Sequence, residues 1–136
     1  MQEISLNVLD VAQNSVSAGA SLIEIDVAED RPADRLTVTI RDNGCGMTEE
    51  QVKKVIDPFY TTRTTRKVGL GVPLFKMAAE MTGGSFSIVS QPGKGTTVTA
   101  VFVPSHLDCM PMGDITATVC SLIQCNPDRD FCYTYS

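Results

Sequence analysis

Leu36, Val38 and Ile40 alternate with Thr37, Thr39 and Arg41, the period-two signature of a half-buried strand, and the same period sets Asp42 on the inward face. A carboxylate turned toward a core is costly unless donors reach it. Ionised Asp offers acceptors only, so a donor such as the exocyclic amine of adenine suits it. Guanine presents a carbonyl at that place and would be repelled, which gives discrimination. Asn43-Gly44, directly after, is also a strong signal for a tight hairpin. Cys45-Gly46-Met47 leads instead to Thr48 and Gln51, a capping-box pair that starts a helix. With no second strand to follow, the hairpin fails, and Gly44 and Gly46 read as places of close backbone approach to a ligand.

Asp10 and Asn14 stand four apart, on one face of a helix expected over residues 3–18. Asn is a poor interior-helix residue, so Asn14 among apolar neighbours calls for a reason. Its carboxamide oxygen is a hard ligand suited to Mg²⁺, which keeps waters and takes phosphate oxygens. Asp10, one turn earlier, is placed to orient or deprotonate a nucleophile beside such a metal. The alternative is that both simply face solvent. Gly69-Leu70-Gly71 ahead of a helix fits an anion site, where free amides and the helix dipole meet phosphate, and equally a loop-to-helix hinge. It is not a Walker loop, since no Gly-Lys-Ser/Thr follows, nor a dinucleotide fingerprint, since no strand directly precedes it. Arg63, Arg66 and Lys67 just upstream suit phosphates, or water.

These groups need elements to hold them. Ile4, Val8, Val11 and Ala12 recur at helical spacing, and Gly19 is a natural stop. Ile23, Ile25 and Val27 alternate with polar neighbours as a strand, and the charged stretch 29–35 turns the chain into the strand that ends near Asp42. Residues 57–68 hold Pro58 and four threonines with little apolar periodicity, a long loop of the kind that often serves as a lid. Pro73 suits a first helical turn, with Leu74, Phe75, Met77, Ala78 and Met81 expected as the buried stripe and Gly83-Gly84 as the end. Strands at 85–90 and 96–103 flank Gln91-Pro92-Gly93-Lys94-Gly95, a hairpin connection. After Pro104 comes an appendix. Ile115, Val119, Leu122 and Ile123 have helical spacing, and Phe131-Cys132-Tyr133 is strand-prone. A chain cut short there and a strand completed by a partner both fit.

The 136 residues suffice for one domain with a real core, and 43% hydrophobic with 20% charged residues excludes a disordered or fibrous chain. A net charge of −5 argues against a surface that coats nucleic acid. No apolar run approaches the roughly 18 residues of a membrane span, and the start lacks a secretory pattern, so a soluble cytoplasmic protein without membrane contact is expected. Five cysteines include no Cys-x-x-Cys pair, so zinc and thioredoxin spacings are absent. Four of them cluster with His106 near the end, which leaves a metal or iron–sulfur site as the alternative to reduced thiols used as small core hydrophobes.

Together and in order, these pieces resemble the GHKL superfamily of gyrase, Hsp-type chaperones, histidine kinases and MutL. Residues 10–20, from Asp10-Val11-Ala12-Gln13-Asn14 to Ala18-Gly19-Ala20, look like its Asn box, with a MutL-like ending. Asp42-Asn43-Gly44-Cys45-Gly46-Met47 matches the Asp-x-Gly-x-Gly box, and Asp57-Pro58-Phe59-Tyr60-Thr61-Thr62-Arg63 resembles the kinase Phe box. Gly69-Leu70-Gly71-Val72 resembles the second glycine box of histidine kinases, and Gly93-Lys94-Gly95-Thr96-Thr97 the closing Gly-Thr element. The resemblance covers residues 4–104 and divides the chain into a histidine kinase-like ATP-binding domain, 1–104, and the appendix, 105–136. It implies the Bergerat fold, an α/β arrangement of the α+β two-layer sandwich kind, with a mixed sheet and helices on one face.

By the same resemblance Asn14 would hold Mg²⁺ and Asp42 the adenine amine of ATP. Gly44 and Gly46 would let base and ribose approach, and Thr96 would support the adenine through its hydroxyl. Phe59, Gly69, Leu70 and Gly71 would shape the lid over the phosphates, and Met47, Lys67, Val72 and Thr97 would complete the nucleotide-binding set. Hydrolytic members carry Glu where this chain has Asp10; a shift near 1 Å in such a base can cost about 100-fold in rate. Kinase members vary there, so Asp10 suits phosphoryl transfer. The dimerising helix with its phosphoacceptor histidine is missing and His106 lacks that context, so the acceptor is expected on another chain or beyond the end of this one. The favoured expectation is a kinase-like domain that phosphorylates a protein in trans. A MutL-like ATPase driving a conformational cycle and a non-catalytic ATP sensor are the alternatives. The partners implied are ATP or ADP, a protein phosphoacceptor or regulatory partner, and a second copy of the chain in a homodimer.

Overall fold

The computed structural model describes residues 4–55, 71–105 and 113–135. The chain runs α1 (Ile4–Ser17), β1 (Leu22–Asp30), β2 (Arg35–Asp42), α2 (Glu49–Val55), α3 (Gly71–Met81), β3 (Ser85–Gln91), β4 (Gly95–Phe102), α4 (Ile115–Cys125) and β5 (Asp130–Tyr135). The strands form one sheet in the order β3-β4-β2-β1-β5, antiparallel except for the parallel β1–β5 pair. This is a mixed sheet with helices packed on one face, the α+β sandwich that the motif order implied.

α1 forms because Ile4, Val8, Val11 and Ser15 make one buried stripe at helical spacing. Gly19, at φ +80, ends it: the Ala20 amide donates to Ser15 O at 3.2 Å and the Gly19 amide to Val16 O at 3.0 Å, a Schellman closure. Across from α1 the sheet offers Ile23, Ile25 and Val27 of β1, Val38 and Ile40 of β2, and Val98, Ala100 and Phe102 of β4, all buried. Phe75 of α3 meets Phe86 edge-on at 6.4 Å between centroids and lies tilted over Phe102 at 5.8 Å. Such aromatic pairs add about 0.5–1.5 kcal/mol beyond the area they bury. Thr48 and Gln51 form the expected capping box at the start of α2, the Thr48 amide donating to Gln51 Oε1 at 2.9 Å and the Gln51 amide to Thr48 Oγ1 at 3.2 Å.

Two expectations of burial need correction. α3 turns Val72, Phe75 and Ala79 to the sheet, while Leu74, Met77 and Met81 are 45%, 47% and 53% exposed. The helix carries two apolar stripes, and the one holding the aromatic ring takes the core. The thiols of Cys45, Cys120, Cys125 and Cys132 are free as expected, yet they lie at the surface rather than in the core. On α4 the buried stripe belongs to Ile115, Thr118, Val119 and Leu122.

The end of the chain is longer as a strand than its composition announced. Asp114 caps α4, its Oδ1 accepting the Ala117 amide at 2.9 Å. β5 then pairs with β1 from Leu22↔Asp130 to Val27↔Tyr135, with Phe131 and Tyr133 packed against the core.

Candidate functional site

Asp42 is the last residue of β2, in register with Ile23 of β1 and Thr96 of β4, and half-buried. Its Oδ2 accepts the Ser15 hydroxyl at 2.6 Å and its Oδ1 the Gly44 amide at 2.9 Å. These charge-assisted bonds offset the cost of turning a carboxylate inward. Two oxygens with about four acceptor positions still leave room for a ligand's donor. Ser15 thus supplies a donor where the sequence pointed to a ligand alone. A signal existed: Ser15 continues the stripe of Ile4, Val8 and Val11, so its hydroxyl had to find an acceptor inside.

Next to Asp42 lies a row of hydroxyls. Thr96 pairs in register with both Asp42 and Ser90. Ser90 Oγ is 2.8 Å from Thr96 Oγ1, 3.0 Å from the Gly95 carbonyl, and accepts the Met47 amide at 2.7 Å. Ser90 has one hydroxyl proton; with it on Gly95 O, Thr96 donates to Ser90 and keeps its own lone pairs for a ligand. Ser90 was also missed, since its role depends on a register that no local pattern displays.

The loop after Asp42 is tied down on both sides. Gly46 is at φ +71, and a Cβ there would collide with the Gln91 carbonyl of the β3–β4 hairpin. The Gly93 amide donates to Cys45 O at 2.6 Å, and the Cys45 amide to Ala18 O at 3.0 Å. Asn43 faces the other way, its Oδ1 accepting the Ser21 and Leu22 amides at 2.9 and 3.0 Å.

Asp10 and Asn14 lie one turn apart on the flank of α1, away from its buried stripe. Partial burial pushes the Asp10 carboxyl above the usual carboxylate range. Asn14 is half-buried, and its carboxamide makes no hydrogen bond among the described residues. No group of three His, Cys, Asp or Glu side chains that could hold a metal occurs among the described residues. A divalent ion here would rest on one protein oxygen with water and phosphate, which is the habit of Mg²⁺.

Met47 is half-buried beside Ser90, Val72 is buried in α3, and Gly71 opens that helix. Phe59, Lys67, Gly69 and Leu70 lie outside the described residues. Thr97 stands out of phase with Thr96. It pairs with Arg41 and Val89, so the pleat turns it to the opposite face of the sheet. An open groove of about 340 Å³ runs over this end of the sheet, and Thr97, Arg41 and Val89 line it together with Asp42, Ser90 and Thr96. Arg41 is spent on Glu24 at 3.2 Å.

With this geometry in view, the chain belongs to the histidine kinase-, DNA gyrase B-, and HSP90-like ATPase family, whose model matches residues 1–106. Sporulation kinase E of Bacillus subtilis is 31% identical over 71% of this chain and 13% of its own length. The cell-division control histidine kinase PdhS of Brucella abortus is 28% identical over 79% of this chain and 11% of its own. The chain thus spans less than a fifth of these curated relatives. The fold is shared with the Aquifex aeolicus MutL ATPase domain complexed with ADP, at a TM-score of 0.64 and 17% identity, over 99% of this chain and 60% of that one.

Proposed function

We propose that this domain binds Mg·ATP and passes its γ-phosphoryl group to a protein acceptor on another chain. The observation that carries the reading is Asp42, a carboxylate fixed inward by Ser15 and Gly44 with acceptor capacity to spare. Adenine would donate its exocyclic amine to Asp42, and Thr96 would face the base from the neighbouring strand. Gly44 and Gly46 let the loop pack tightly against Ala18 and the Gln91 carbonyl, which holds Asp42 in place for the base. Asn14 would offer its carboxamide oxygen to Mg²⁺, which neutralises phosphate charge when bound.

Asp10 stands one turn from that oxygen. Its raised pKa suits a group that accepts a proton from, or orients, the attacking atom. That atom bonds to the γ-phosphorus as the bond to the bridging oxygen breaks, and ADP leaves with the electron pair. A water in place of the acceptor gives hydrolysis, the second reading, in which the same carboxyl would serve as the base. The relatives named as kinases support transfer, and the free thiols suit a reducing cytoplasm. No helix among the described residues is long and apolar enough to cross a membrane.

Incubation with γ-labelled Mg·ATP separates the readings. Binding without steady phosphate release is expected of a transferase awaiting its acceptor. Steady release that disappears in Asp10→Asn would instead establish a hydrolase. Absence of nucleotide binding would overturn both.

A further inference from the structure

Arg129 lies between α4 and β5, in the part of the chain beyond the family match. Its guanidinium is half-buried, and Nη1 donates to the Ala20 carbonyl at 2.5 Å. Nε is buried with no hydrogen-bond partner, so the fork is committed to this one carbonyl among the described residues. The next residue adds a second tie, the Asp130 amide donating to Ser21 O at 2.7 Å. Both bonds land just past the C-terminus of α1, where the helix carries partial negative charge and a cation is favourable.

The same short stretch, residues 18–22, supports the Asp42 loop from its other side. Ala18 O accepts the Cys45 amide, and the Ser21 and Leu22 amides both bond Asn43 Oδ1. Asn43 Nδ2 also donates to Ser21 Oγ at 2.9 Å. Gly44 passes so close beneath Ala18 that an added Cβ would lie 2.9 Å from its carbonyl oxygen. Asp42 itself is held by Ser15, at the last turn of the same helix. Residues 18–22 are therefore clamped between the loop that would read adenine and the α4–β5 junction.

We infer that Arg129 is a positioning residue for the nucleotide loop, through which the α4–β5 segment sets the affinity of the domain for adenine nucleotide. The inference rests on the nucleotide-binding reading above. Arg129 acts through backbone: it fixes Ala20, the 18–22 turn fixes Asn43 and Cys45, and these fix the carboxylate of Asp42 against its ligand. The coupling runs both ways, since a nucleotide that favours the ordered loop must favour the docked α4–β5 junction by the same factor.

The test is ADP titration calorimetry on the full chain for wild type, Arg129→Ala, Arg129→Lys and Asp42→Asn, well below each thermal midpoint. Amide hydrogen exchange is followed in parallel. Arg129→Ala should weaken ADP binding roughly 5- to 20-fold, the range of ordinary coupling between sites, and Arg129→Lys should recover part of it. Exchange at Leu22 and Cys45 should quicken in Arg129→Ala. If Arg129→Ala fails to fold, the wild type decides: saturating ADP should slow exchange at the Asp130 amide, and no slowing overturns the inference. ADP affinity within twofold of wild type in Arg129→Ala, with binding lost in Asp42→Asn, overturns the inference and leaves the nucleotide reading standing. No ADP binding by wild type overturns both.

Discussion

Ser15 and Asp42 are joined across 27 positions of the chain by a hydrogen bond of 2.6 Å, from the last turn of α1 to the end of β2. The bond fastens the helix layer to the sheet at the point where the carboxylate is needed. Ser15→Ala leaves Asp42 with the Gly44 amide alone. A hydrogen bond to a charged group contributes about 1.5–3 kcal/mol, so urea unfolding should register a loss of that order. A double-mutant cycle with Asp42→Asn should return most of it as coupling between the two side chains.

Asp10 supplies a pH dependence whose sign is fixed by its raised pKa. The folded state holds this proton more tightly than the unfolded chain. Its contribution is therefore most favourable below the ordinary Asp value and is lost as pH rises through the higher folded value. Asp10→Asn should match wild-type stability in acid and equal or exceed it at neutral pH, by under about 1 kcal/mol because the group still meets water. Thermal melts at acid and neutral pH check this. The same variant should keep ADP affinity while losing roughly 100-fold or more in phosphoryl-transfer or hydrolysis rate.

α3 gives a contrast within one helix. Phe75 is fully buried, and Phe75→Ala should cost about 3–5 kcal/mol. Met77 is 47% exposed, and Met77→Ala should fall within about 0.5 kcal/mol of wild type in urea unfolding. Equal losses would mean that α3 is rotated from the orientation described.

Gly46→Ala combines a left-handed φ of +71 with a clash against the Gln91 carbonyl. The loop must move for the variant to fold, so nucleotide affinity should fall by about tenfold or more while Gly83→Ala, where a Cβ meets nothing, leaves affinity unchanged. Calorimetry on the two variants separates a local requirement from general glycine strain.

What the sequence displayed was local. Period two placed Asp42 on the inner face, the stripe of Ile4, Val8 and Val11 gave α1, and Thr48 with Gln51 announced α2. Pairing across the chain was not displayed. Ser90 gained its role from register with Thr96, and β5 its length from parallel pairing with β1. Thr97 belonged to the same motif as Thr96, yet one step along a strand reverses the face. On α3, apolar type alone could not choose between two stripes until the sheet presented Phe86 and Phe102 to Phe75.

The central claim is that the inward carboxylate of Asp42 reads adenine. The direct measurement is the pair of dissociation constants for Mg·ATP and Mg·GTP on wild type and Asp42→Asn. Wild type should prefer ATP by at least about 100-fold, because guanine leaves a carbonyl facing the carboxylate. Asp42→Asn should lose most of both the affinity and the preference. Equal binding of the two nucleotides by wild type, or an Asp42→Asn variant that still prefers ATP, would contradict it.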